Sequence, residues 1–438
     1  MPLEDLHSAS AVIFNWDAKL VASAILIISY LILFTEKLNR AVVALVGACI
    51  MIFAGVLTQE TAIAGIDFNT LALLTGMMII VGIAEKSGMF QYVAVWAVHR
   101  TRANPRSLLF TLGLITAVFS ALLDNVTTVL LIVPVTFQIT EKLKVNPYPY
   151  LIMEIFASNI GGTATLIGDP PNIMIGSAAG YTFLDFIIVD APIVCVILAV
   201  VLVVFYFLYG RGLHVPDEDR NRVLELDPKE QIEDMRLLKI SVVMLVCVVI
   251  GFMCHGALGI ESSVVALTAA AVIMLISRVD VPQALLHVEW TTLTFFCGLF
   301  IIVGGMVETG TIDMLANALM DFTGDDVLFT MIILLVASAV ISSVLDNIPF
   351  VATMIPILLA MEGAGMDVTP LWWATSLGAC LGGNGTLIGA SCNVVISDIA
   401  AKNGNPISFV KYMKIGFPLM LLTVLIAGIY LYIVFQPV

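Results

Sequence analysis

Apolar residues in this chain run in long unbroken blocks instead of alternating with polar ones. Leu20–Phe34, Ala41–Leu57, Ile187–Tyr209, Ile240–Met253 and Ile415–Phe435 are the clearest examples. Most reach or approach the ~20 residues an α-helix needs to cross ~30 Å of hydrocarbon. Such blocks, joined by short polar loops, predict an all-α polytopic membrane protein. Composition agrees: 60% of the 438 residues are apolar, 12% are charged, and the mean hydropathy is +1.06. A water-soluble chain of this length would carry about a quarter charged residues.

The pattern is written twice. Phe68–Gly88 matches Trp290–Gly310 at an offset of 222, with Gly76 on Gly298, Gly82 on Gly304 and Gly88 on Gly310. The same offset puts Leu123-Asp124-Asn125 on Leu345-Asp346-Asn347 and Pro134 on Pro356. After one residue of slippage, Gly161–Gly168 aligns with Gly382–Gly389 and Asn172 with Asn393. Hydrophobic segments match in Leu and Val by chance; matching Asp-Asn and Gly-Gly pairs mark an internal duplication.

Loop charges predict how each copy is oriented, because Lys and Arg mark cytoplasmic loops. Thr35–Arg40, His99–Arg106, Glu141–Asn146, Gly210–Lys239 and Lys402–Lys414 carry them. Thr58–Asp67, His255–Glu261, Glu308–Asp326 and Glu362–Thr369 carry none. Ser107–Thr140 has basic loops at both ends, and Val327–Met361 has acidic loops at both ends. Each is therefore predicted to enter and leave by one face, as a re-entrant hairpin with Asp-Asn at its tip. The first repeat covers residues 1–209, with its hairpin at about 107–140 and a broken helix at about 149–179. Residues 210–239 form a cytoplasmic linker, and the second repeat covers 240–438, with hairpin about 327–361 and broken helix about 371–401. Five spanning helices accompany each hairpin. Because five is odd, the second copy is inverted, and both termini fall outside a plasma (inner) membrane.

Several functions are unsupported. The net charge of −14 with no basic arm argues against nucleic-acid binding. The seven cysteines lie mostly in apolar segments and the five histidines are scattered, so neither a disulfide framework nor a metal site is expected. There is no Walker A motif, no catalytic constellation and no sign of a cofactor, so an enzyme is not expected. The acidic N-terminus lacks the basic stretch of a signal peptide.

Inverted repeats place a binding site near the bilayer midplane, where interrupted helices meet. Asn159–Asn172 contains Gly161-Gly162 and Pro170-Pro171, and Leu381–Asn393 contains Gly382-Gly383. Both segments are predicted to be non-helical and to line a cavity, where freed N–H groups favour polar oxygen or negative charge. Alternatively, Gly-Gly only permits close helix packing. Thr163, Thr165, Asn384 and Thr386 lie beside these glycines.

Asp124 and Asp346 stand out most. A carboxylate at the bilayer centre costs roughly 2.5–3.5 kcal/mol, and here it occurs at both matched positions. Burial favours the neutral form, so such a group can take up and release a proton. Each Asp is also a good N-cap for the helix that follows, and the two roles are compatible. Asn125, Thr127, Thr128 and Asn347 supply neutral donors and acceptors at the tips. Asp169 has Ala390 opposite it, and fits either a proton or cation site or a cap before Pro170. Cys297, Cys380 and Cys392 are candidate soft ligands for a thiophilic solute, although free Cys also serves as a small buried apolar residue.

At these residues the chain resembles the arsenical pump membrane protein family. The resemblance rests on Leu123–Thr128, Asn159–Thr165 and Gly168–Asn172, and spans nearly the whole chain. The family belongs to the ion transporter superfamily, which also includes sodium/proton antiporters and the pigmentation P protein. The resemblance implies a secondary transporter with a mobile core of hairpins and broken helices and elevator-like alternating access. It also implies efflux of arsenite or antimonite, driven by protons or by a separate cytoplasmic ATPase subunit. Neutral arsenite suits hydroxyl, amide and backbone groups. Three aspartates would equally serve sodium/proton exchange. No Lys or Arg lies in either break, which argues against an organic anion.

Overall fold

The computed structural model describes residues 12, 15–35, 37–324 and 326–436. Most of the N-terminal segment read above as lacking a signal peptide lies outside them. The described residues form helices and connections only, with no strand. Among the described residues, seven helices are long and apolar enough to cross a membrane, including Phe68–Glu85, Phe183–Leu208, Met235–Leu258, Trp290–Glu308 and Phe409–Phe435. Many start at a polar cap: Asp67, Asn104 and Asp234 each accept two amide N–H groups of the first turn. Three end at Gly180, Gly259 and Gly324 with positive φ, the backbone shape that closes a helix most cheaply in glycine.

The order of elements from Ala18–Phe34 to Phe183–Leu208 recurs from Met235–Leu258 to Phe409–Phe435, down to the short helices Gln59–Ala64 and Val281–Leu285. The two halves exchange contacts reciprocally. Arg40–Phe53 packs on Trp290–Glu308, and Ser262–Ser277 packs on Phe68–Glu85. The matched glycines make this possible: a Cβ on Gly76 would lie 2.7 Å from the Ala266 carbonyl carbon, and one on Gly298 2.6 Å from that of Ala44. Gly82 and Gly304 do not share a role. A Cβ on Gly82 would meet His287 at 2.3 Å, whereas Gly304 has nothing within 4 Å. Gly82→Ala should therefore cost about 1–3 kcal/mol, and Gly304→Ala should be neutral or stabilise by up to ~1 kcal/mol. Thermal unfolding of the purified variants checks the difference.

The helices Tyr148–Thr163 and Thr369–Gly382 form the buried centre, covered from Pro149 and Pro370 onward. The long helices around them expose Ile188, Val203, Val243, Ile250, Leu425 and Ile433, an apolar belt suited to lipid. Within the linker, Asp217–Leu224 is helical and docks on the first half. Asp219 pairs with Lys144 at 2.8 Å, and Val223 is buried.

The interruptions are shorter than the sequence predicts. Helix continues through Gly161-Gly162 to Thr163 and resumes at Pro170; in the second half it continues to Gly382, passes through a 3₁₀ turn at Gly383–Gly385 and resumes at Ser391. Of the paired glycines, Gly161, Gly162 and Gly382 do not break the helix, and only Gly383 falls in an interruption. Gly161 and Gly382 lie against the Ala117 and Ala339 carbonyls, where a Cβ would come within 2.1 and 2.6 Å. Close packing is the work of these two, and the breaks begin at Ala164 in the first half and at Gly383 in the second.

Candidate functional site

Two turns and two interruptions meet at the centre. The helices either side of Leu123-Asp124 both pack on Tyr148–Thr163, and those either side of Asp346 both pack on Thr369–Gly382. Matched hydroxyls tie each turn to its break. Ser120 donates to the Ser158 carbonyl at 2.6 Å and Ser342 to that of Ala379 at 2.7 Å. Thr165 donates to the Ala121 carbonyl at 2.6 Å and Thr386 to that of Ser343 at 2.5 Å. Carbonyls freed by the breaks are taken up by matched amides. Asn172 Nδ2 donates to Thr163 and Thr165, and Asn393 Nδ2 to Gly383 and Thr386. Backbone groups buried this deeply require such partners.

The halves are joined through side-chain amides. Asn159 Nδ2 donates to Asn384 Oδ1 and Asn393 Oδ1, both at 3.0 Å, and Asn125 Nδ2 donates to Asn159 Oδ1 at 3.4 Å. Asn347 Nδ2 donates to both Asp169 oxygens, at 3.1 and 3.2 Å. Asp169 makes no cap bond to the helix after it, and so meets the opposite half.

The two tip aspartates differ. Both cap the following helix, Asp124 through the Thr127 amide at 2.8 Å and Asp346 through the Ile348 amide at 3.3 Å. Asp124 also accepts from the Thr127 hydroxyl. Asp346 instead accepts from Arg40 at 3.1 Å and from Ser391 at 2.7 Å. Arg40 belongs to a helix start that the sequence marked only as the end of a cytoplasmic loop. No cation lies in either break along the chain, yet the fold carries Arg40 onto the second tip and onto Ser391 at the end of the second break.

A cavity of about 160 Å³ lies between the tips, lined by Asp124, Asn125, Asp169, Asn347, Glu289 and Arg40 among others. Arg40 also lines a larger cavity of about 570 Å³ that includes Asn39 and Asp346. Glu289 was not foreseen. Its counterpart Asp67 caps a helix with its carboxylate, whereas Glu289 makes no cap bond, accepts from Thr292 at 2.9 Å and lines the cavity.

Other expected binding residues stand behind this lining. Thr163 donates to the Asn159 carbonyl, and Thr165 and Thr386 donate to carbonyls as described. Gly162 and Gly383 lie against the Gly168 carbonyl and Ala390. Thr128 Oγ1 and Asn384 Nδ2 are buried without a hydrogen-bond partner among the described residues. Cys380 donates to Asn172 Oδ1 at 3.4 Å and Cys392 to Asn159 Oδ1 at 3.0 Å, while Cys297 is half-buried on Trp290–Glu308. The three thiols do not converge into a ligand set among the described residues. Their helices hold them apart, and the two buried ones serve the amide network.

An apolar-belted helical protein with paired interruptions around a polar cavity has the build of a membrane transporter. A family model described as "CitMHS: Citrate transporter" matches residues 30–378. The chain belongs to that family. It is 42% identical over 420 residues to an uncharacterized transporter of Mycobacterium tuberculosis (strain ATCC 25618 / H37Rv), covering 94% of this chain and 98% of the relative. It is 33% identical over 500 residues to the P protein of Mus musculus, covering 94% of this chain and 60% of that protein. Its fold is similar to that of the Alcanivorax borkumensis YdaH transporter, with a TM-score of 0.60 and 14% identity, covering 87% of this chain and 88% of that one.

Proposed function

We propose that this transporter exports arsenite or antimonite in exchange for protons, by elevator-like movement of the tips and breaks. The observation that carries this reading is the lining of the 160 Å³ cavity, where amides and carboxylates surround one guanidinium already engaged by Asp346. A small uncharged trihydroxide finds donors and acceptors there at Asn125 and Asn347. A citrate-like anion, which the family description names, would meet Asp124, Asp169 and Glu289 with Arg40 already committed. Like charges this close in a poorly solvated site repel strongly, and a proton shared among them relieves the repulsion. Asp124 and Asp169 are the groups assigned to carry it.

A second reading, sodium/proton exchange, is favoured by those same two carboxylates, since hard oxygen ligands suit a hard cation. The two halves are taken to lie inverted across a plasma membrane with both termini outside, so that Asn39 and Arg40 mark the cytoplasmic approach. Proton entry drives transport in this reading. A separate ATPase subunit, the other drive the resemblance implies, would dock on the linker. Everted vesicles test the choice. Labelled arsenite should accumulate when the interior is acid, without sodium. Accumulation only of sodium supports the second reading, and accumulation only of citrate overturns both.

A further inference from the structure

Asp190, on Phe183–Leu208, is fully buried and lies outside the cavity lining. Its environment defines a proton count. Ser376 Oγ stands 2.8 Å from Asn172 Oδ1 and 2.9 Å from Asp190 Oδ2. Both are O–H···O distances, so this row of three oxygens needs two protons. Asn172 supplies none, because its NH₂ group donates to the Thr163 and Thr165 carbonyls at 3.2 and 3.0 Å, which fixes its oxygen towards Ser376. The Ser376 hydroxyl carries one proton. The other belongs on Asp190.

We propose that Asp190 is a proton-binding site, occupied in this conformation, whose proton release is coupled to the first interruption through Ser376 and Asn172. With the proton in place, Asp190 donates to Ser376 and Ser376 donates to Asn172. Without it, Ser376 turns its single proton to the carboxylate. Asn172 Oδ1 then faces a hydroxyl lone pair and keeps only the weaker Cys380 thiol at 3.4 Å. That strain falls on the residue holding the carbonyls of the break that leads to Asp169. The second Asp190 oxygen has no partner among the described residues, an arrangement costly for an ionised carboxylate. The titratable groups facing Asp190 are Cys380 on Thr369–Gly382 and Tyr430 on Phe409–Phe435, with Asp169 beyond Cys380. The Tyr430 hydroxyl donates to the neighbouring Val189 carbonyl at 2.7 Å. On Met235–Leu258, His255 accepts from the Phe183 amide at 3.3 Å, at the start of Asp190's helix.

The occupancy stands on the geometry alone; the coupling rests on the proton-driven transport proposed above. Infrared difference spectroscopy of the full chain in liposomes tests the first. At neutral pH the wild type should show the carbonyl stretch of a protonated carboxylic acid, missing in Asp190→Asn and shifted in Ser376→Ala. Absence of that band from the wild type overturns the proposal. Should Asp190→Asn not fold, an unshifted spectrum in Ser376→Ala overturns it instead. Asn can still donate to Ser376, so Asp190→Asn should fold and mimic the protonated state. Its flux should then lose part of the wild-type pH dependence, and an unchanged pH profile refutes the coupling. If wild-type vesicles move none of the three solutes, the transport reading fails while the spectrum still decides the occupancy.

Discussion

Asp124→Asn is expected to fold normally yet lose transport driven by a pH gradient, whereas Asp346→Asn is expected to lose stability as well. The two aspartates match in sequence, so the difference comes from their partners. Asn caps a helix about as well as Asp, so keeping the Thr127 amide bond limits the stability change at Asp124 to ~0.5 kcal/mol. What disappears is the one cavity carboxylate of that tip. At Asp346 the substitution also strips Arg40 of its counter-charge. Breaking a fully buried pair costs about 3–5 kcal/mol. The Arg40 side chain is 37% exposed, which reduces the expected loss to about 1–2 kcal/mol. Adding Arg40→Gln to Asp346→Asn should restore most of that stability, a coupling that a double-mutant cycle measures directly. Thermal unfolding and gradient-driven flux on the same proteoliposomes make the comparison. If both single variants transport normally at unchanged stability, the tip aspartates only cap, and coupling passes to Asp169.

Gly161→Ala should be the most damaging single methyl in the chain's centre. The added carbon would come 2.1 Å from the Ala117 carbonyl oxygen and 2.6 Å from its Cα, and neither is the movable end of a side chain. Relief requires two buried helices to separate. Overpacking in a rigid core costs 1–3 kcal/mol and occasionally more, and backbone contact on this scale places the variant at about 3 kcal/mol or beyond. Gly382→Ala, at 2.6 Å from the Ala339 oxygen, should be milder, and Gly363→Ala, with nothing within 4 Å, nearly silent. The yield of monodisperse protein after detergent extraction, with its unfolding temperature, ranks the three. Equal yields for all would refute the packing role.

The features legible in the sequence were those that repetition made visible. Asp124-Asn125 recurs as Asp346-Asn347 at an offset of 222 and the two breaks recur one residue off it, and the structure brings Asp124, Asn125, Asp169 and Asn347 to one cavity. The glycine pairs leave both break and close packing open, because composition cannot distinguish a residue that ends a helix from one that lets another helix approach. Arg40 was hidden differently. A cation beside an apolar block signals topology, and nothing local reveals a partner 306 residues away. Glu289 carries no signal in the sequence, because it stands at a helix start where its counterpart Asp67 is an ordinary cap, and one more methylene changes where its carboxylate reaches.

Asp190 was discoverable. A lone acid in the apolar run Phe186–Cys195 is a functional signal in its own right. No counterpart acid in the second half and no motif beside it draw attention to it, whereas Asp169 stands inside the matched break. Glu154, fully buried in Tyr148–Thr163 and bonded by Thr136, was missed for the same reason. Duplication is a good guide to shared parts and a poor one to parts that only one copy has acquired.

The amide bridge of Asn159 to Asn384 and Asn393 has a consequence for biogenesis. The first half leaves the ribosome and enters the bilayer before its hydrogen-bond partners exist. Until the second half is made, Asn159 lacks both acceptors, and Asp169 lacks the Asn347 amide that reaches both its oxygens. A nascent first half is thus a chain with unmet polar demand in hydrocarbon, exposed to membrane proteases and to mispairing with other nascent helices. Completion of the second half closes that window, so the speed of synthesis across residues 210–393 sets how long the molecule is vulnerable.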